Sequence, residues 1–88
     1  MTDDRDLTAQ LNAGIAAARD GDWETAHTIA QAHEGDTNAD WLHAIVHLIE
    51  GDEGNARYWF RRAGRAPVSR EAHAGELDAL ASQLGGER

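Results

Sequence analysis

Two of the chain's Gly-Asp doublets, Gly21-Asp22 and Gly51-Asp52, stand thirty residues apart, and each separates two stretches of helical periodicity. Glycine after a periodic apolar run stops a helix and aspartate before the next run starts one, so each doublet dictates a tight turn between two helices. Ahead of Gly21, the residues Leu7, Leu11, Gly14, Ile15 and Ala18 fall on one stripe, with Asp3 or Asp4 as the cap. After Asp22, a second helix aligns Trp23, Ala26, Ile29, Ala30 and His33 and ends near Gly35. Residues 34–39 read as a loop, and a third helix is expected from about Asp40. Its apolar arc is Trp41, Leu42, Ile45, Val46, Leu48 and Ile49, and His43, His47 and Glu50 are expected opposite, facing water. Asp52 caps a fourth helix with Ala56, Trp59, Phe60 and Ala63 on its apolar face, ended by Gly64 and Pro67. Ser69 is expected to cap a fifth, which aligns His73, Leu77, Leu80 and Leu84 and stops at Gly85. No stretch alternates apolar with polar for long, so the expected class is all-α: about five helices, two antiparallel hairpins and a C-terminal capping helix.

Eighty-eight residues make one domain, 1–88, with fraying expected at 1–4 and 85–88. The chain has no cysteine, which excludes disulfide staples and thiolate metal sites and leaves helix packing to supply stability. Ala44-Ile45-Val46 is broken at once by His47, and no apolar run approaches the roughly 20 residues of a bilayer span. The acidic start Met-Thr-Asp-Asp-Arg-Asp is not followed by a hydrophobic segment, as a signal peptide requires, so the expected location is the cytoplasm, with no membrane partner. A net charge of -8 argues against general nucleic-acid binding. The charge is unevenly spread: residues 57–70 hold Arg57, Arg61, Arg62, Arg65 and Arg70 with no acid, whereas the first 53 residues hold twelve acids against Arg5 and Arg19.

Laid over one another at an offset of 30, the two halves match weakly: Gly14 with Ala44, Ile15 with Ile45, Gly21-Asp22 with Gly51-Asp52, Ala26 with Ala56. Ala44, Gly51-Asp52, Ala56, Phe60, Ala63 and Pro67 follow the order of small residue, turn, small residue, aromatic, small residue and closing proline. Over residues 7–67 the chain thereby resembles the tetratricopeptide-repeat family, a likeness that implies stacked helical hairpins and peptide recognition. It departs from that family in its period, in Ala30 where an aromatic is usual and in His33 where a small residue is. The run His43-Ala-Ile-Val-His47-Leu-Ile-Glu50-Gly-Asp-Glu-Gly-Asn55-Ala-Arg-Tyr58-Trp-Phe also resembles a segment of short bacterial proteins, which implies a compact helical domain and carries no activity with it.

Chemistry concentrates in that run. His43 and His47 at i and i+4, with Glu50 three residues on, offer a three-ligand set for zinc or iron. A metalloprotease helix has Glu directly after its first histidine, where this chain has Ala44, so the expectation is a solvated or partner-facing stripe, with no metal and no cofactor. On the fourth helix Asn55, Tyr58 and Arg62 form a second stripe flanked by Arg57 and Arg61, suited to a carboxylate or phosphate through the guanidinium fork, or else paired with acids such as Glu50, Glu53 and Glu71. Folded at Gly51-Asp52, the two stripes are expected to lie side by side as one polar patch. His33 is expected to bond the free carbonyls of its helix end, and His27 and His73 receive no role. Ser69 and Ser82 lack a nucleophile context and phosphate loops are absent, so the chain does not read as an enzyme. The expected function is recognition of an acidic protein or peptide, or of a second copy of the chain, through His43, His47, Glu50, Asn55, Arg57, Tyr58, Arg61 and Arg62. The alternative is a small metal- or anion-binding protein. Leu77, Leu80 and Leu84 are expected to pack on the Trp59 and Phe60 face, covering the flank of a short array.

Overall fold

The computed structural model describes residues 4–85. Five α-helices follow one another, α1 (Asp4–Arg19), α2 (Trp23–Ala32), α3 (Thr37–Glu50), α4 (Glu53–Arg62) and α5 (His73–Gly85), with a 3-10 turn over Arg70–Ala72 and no strand among the described residues. Asp4 and Gly85 are already helical; the capping role given to Asp3 and the fraying of 1–3 and 86–88 lie outside the described residues. Links of only a few residues make α1 with α2, α2 with α3, and α3 with α4 packed neighbours.

Gly21-Asp22 and Gly51-Asp52 build one and the same turn twice. Gly51 adopts φ 92°, a left-handed conformation that suits a residue without Cβ, and the Asp52 amide returns to the carbonyl of His47 at 2.8 Å. Gly21 has φ 85°, and the Asp22 amide returns to Ala17 at 2.8 Å. Each aspartate then caps the following helix: Asp22 accepts from the Thr25 amide and hydroxyl, Asp52 from the Asn55 amide and side chain. Those bonds hold both carboxyls below the ordinary aspartate range, the side-chain partners Thr25 and Asn55 contributing most. The thirty-residue repeat is thus a repeat of hydrogen-bonded turns.

Helix α3 is the hub, packed against α1, α2, α4 and α5 and buried at every position from Ala39 to Leu48. Its start differs from expectation. Asp36 accepts from the Ala39 amide at 2.9 Å and nucleates the helix one turn early, while Asp40 turns back to accept from the Gly35 amide at 3.1 Å. The small residue Gly14 lets α1 close on this hub: a Cβ there would sit 2.7 Å from Cδ2 of Leu42.

Helix α5 packs on α3 and α1, not chiefly on α4 as expected. The linker after α4 crosses the C-terminal end of α3, where Arg70 Nη2 donates to the Ile49 carbonyl at 2.9 Å, and this delivers α5 to the α1 side. There Leu77 and Leu80 are buried, Trp41 Nε1 donates to Glu76 at 2.8 Å, and Arg19 pairs with Asp78 at 2.6 Å. Ser69 does not cap with its hydroxyl; its carbonyl accepts from Ala72 in the 3-10 turn, so α5 starts at His73.

Candidate functional site

His43 and His47 do not face water. They are 3% and 8% exposed, and together with Asp40 they form a polar stripe on an otherwise apolar helix, turned inward between α2 and α4. The expected wet stripe fails because α3 has neighbours on all sides, so a polar face opposite the apolar arc still meets protein.

The stripe meets His27, a half-buried residue of α2. Nε2 of His43 is 3.1 Å from Nε2 of His27, and the two rings meet edge to face at 4.7 Å. His47 stacks on His43 at 5.1 Å and stands edge-on to His27 at 5.4 Å. Beyond, His43 stacks on Trp59 of α4, centroids 3.8 Å apart. Each of the three imidazoles can offer one ring nitrogen, and these nitrogens lie within 4.8 Å of one another. Glu50, placed on the outer end of the stripe, accepts from Nδ1 of His47 at 2.9 Å if that nitrogen carries the proton. His47, Glu50 and Asp52 bring donor atoms equally close together.

Burial and the nearby charges of His27, His47 and Arg62 push the pKa of His43 down to about 4, burial acting most. The ring is therefore neutral at physiological pH. Its Nδ1 is buried without a hydrogen-bond partner. Asp40 lies at the other end of the stripe, 3.9 Å from Nε of Arg62.

The second stripe divides. Asn55 is engaged in the cap of α4 through Asp52. Arg62 reaches back over the Trp59 ring at 4.9 Å and donates to the Tyr58 hydroxyl at 3.4 Å. Tyr58 is half exposed, and Arg57 and Arg61 stand exposed one turn apart beside it, with no ion pair among the described residues. The pairing of arginines with Glu50, Glu53 and Glu71 does not occur among these residues: Glu50 serves His47, and Arg65 stacks on Trp41 at 3.5 Å. The single polar patch expected at the hairpin is thus two separate features, an inner imidazole cluster and an outer Arg-Tyr face, with Trp59 between them.

Trp41 and Trp59 are buried, as their places on the apolar faces require, and Tyr58 is the exposed ring of α4. Trp23, expected on an apolar face, is more than a third exposed. His33 bonds Gln10 of α1 through Nε2 at 2.8 Å instead of closing its own helix end with its ring. His27 is the site residue that sequence reasoning missed. The signal for it was Ala26 and Ala30, fully buried small residues one turn apart, which bring α2 close to its neighbour and carry the adjacent His27 into the contact.

No helix of the described residues is long and apolar enough to cross a membrane. Comparison of the chain with protein-family models, with curated proteins and with solved structures finds no match in any of the three.

Proposed function

We propose that the protein is a helical recognition domain that docks an acidic segment of a protein or peptide on the outer face of α4. The observation that carries this reading is the pair Arg57 and Arg61, exposed beside Tyr58 and unpaired among the described residues of a chain with net charge -8. Two arginines that stand exposed and without an ion pair among the described residues of so acidic a molecule are available to an outside anion. Carboxylates in a flexible peptide match the guanidinium fork, and Tyr58 supplies a rigid amphipathic ring at the centre of the face.

The test is capture from a cell extract with wild type and with the Arg57→Gln/Arg61→Gln variant, followed by anisotropy titration of a fluorescent peptide covering the acidic segment of the captured partner. The expected result is an intact fold with binding weakened at least tenfold, and wild-type affinity falling steeply as salt is raised. Equal binding by the variant, or salt-independent binding by wild type, overturns the proposal.

A further inference from the structure

The imidazole cluster lies beneath Trp59, apart from the outer face of α4, and asks for its own explanation. A histidine pair retained for packing alone would be served as well by two apolar rings, without burying the partnerless Nδ1 of His43. From the convergence of His27, His43 and His47 we infer that the cluster is a binding site for a divalent transition-metal ion.

The geometry supports this at each ligand. Zinc held by imidazoles sits about 2.0–2.1 Å from each nitrogen, which in a tetrahedron separates the nitrogens by about 3.3–3.4 Å. The Nε2 atoms of His27 and His43 are already 3.1 Å apart, so an ion between them needs only a slight opening. The third nitrogen lies within 4.8 Å of both, and rotation of the half-buried His27 ring or of His47 closes the remainder. With its proton on Nδ1, His47 donates to Glu50 at 2.9 Å and keeps Nε2 as its lone-pair nitrogen. This carboxylate-to-imidazole contact is the kind that orients metal-bound histidines.

The two facing Nε2 atoms cannot both present lone pairs without a cation between them. In the metal-free protein one of them carries a proton and donates to the other. On binding, that ring shifts its proton to Nδ1, so both Nε2 lone pairs go to the metal and no proton is lost. Three neutral imidazoles suit zinc, nickel, cobalt or copper, and leave one coordination position for water or an outside ligand. The neighbouring Arg62 opposes a cation. Its charge is offset by Asp40 at 3.9 Å and by Glu50, which bonds His47.

The experiment is titration of chelator-washed full-length protein with Co2+, read by visible absorption, with Zn2+ competition and the shift of melting temperature alongside. The expected result is one Co2+ per chain with a ligand-field band that Zn2+ bleaches, and a melting temperature raised by Zn2+. His27→Gln should keep its helicity and weaken Co2+ binding at least tenfold, and Glu50→Gln should weaken it roughly 10–100-fold. Asp52→Asn, which retains a capping side chain, should leave affinity unchanged. Absence of the band at one equivalent overturns the assignment, whether or not the variants fold. So does stoichiometric binding that survives His27→Gln or is lost in Asp52→Asn, which would move the ion to the His47, Glu50 and Asp52 group. Peptide docking on α4 and metal uptake fail independently, because no variant used here touches Arg57 or Arg61.

Discussion

The imidazole of His43 lies flat on the indole of Trp59, their planes 11° apart. A protonated ring in that position would gain a cation over an aromatic face, an attraction of about 2 kcal/mol when desolvated. Burial and three flanking groups, His27, His47 and Arg62, oppose the charge more strongly, and the outcome is a neutral ring. The contact between α3 and α4 is therefore built on a histidine that stays uncharged.

That neutrality makes the metal-free fold sensitive to acid. In the unfolded chain His43 takes up its proton near pH 6.5, and in the folded protein only near pH 4. Between these values the unfolded state holds more protons, so this contribution is complete above about pH 6.5 and is lost as pH falls toward 4, by up to about 3 kcal/mol. Urea midpoints across the interval should decline accordingly, and the ring protons of His43 in an NMR titration should stay flat until well below pH 6. A His43 that titrates at its ordinary value contradicts the prediction.

Removal of α5 should abolish cooperative unfolding. A chain ending at Pro67 loses the buried Leu77 and Leu80 and the Glu76 acceptor of Trp41, uncovering the side of α1 and α3. Leu80→Ala within the full chain should cost about 2–5 kcal/mol by urea denaturation, as a fully buried leucine leaves a cavity. A truncated chain that still melts in one sharp transition would show that α5 is dispensable to the core.

The arginines of α4 should separate by their contacts. Arg57→Gln and Arg61→Gln should each change stability by well under about 1 kcal/mol, since neither makes an ion pair among the described residues. Arg62→Gln should cost more, because its guanidinium covers the Trp59 ring and bonds Tyr58. Thermal melts of the three single variants would show the ranking, and equal losses at all three positions would refute it.

Helix existence and the turns were legible because their determinants are local. Gly51-Asp52 and Gly21-Asp22 act within six residues of chain, and the five helices fall close to where periodicity puts them. What depends on distant chain was not legible. Asp36 and Asp40 are both competent caps, and the choice between them rests on the Gly35 amide, which only the folded loop presents to Asp40. Sides of α3 were misassigned because periodicity gives the arc of a helix and says nothing of how many neighbours surround it. His43 and His47 thus became core, and His27, one residue from the buried Ala26, entered the site from another helix. The position of α5 followed from where its linker crosses α3, a property of length and path that side-chain pattern does not encode.

The enclosure of α3 on every side also decides where this chain is free to vary. From Ala39 to Leu48 every position is buried, so a larger side chain there must displace a neighbouring helix and a charged one must find a partner. Substitutions that leave the architecture alone are confined to the outer faces of the surrounding helices, Arg57 and Arg61 among them. New binding specificities can therefore arise on the rim of the molecule by single changes, whereas its central ten residues can be altered only in concert.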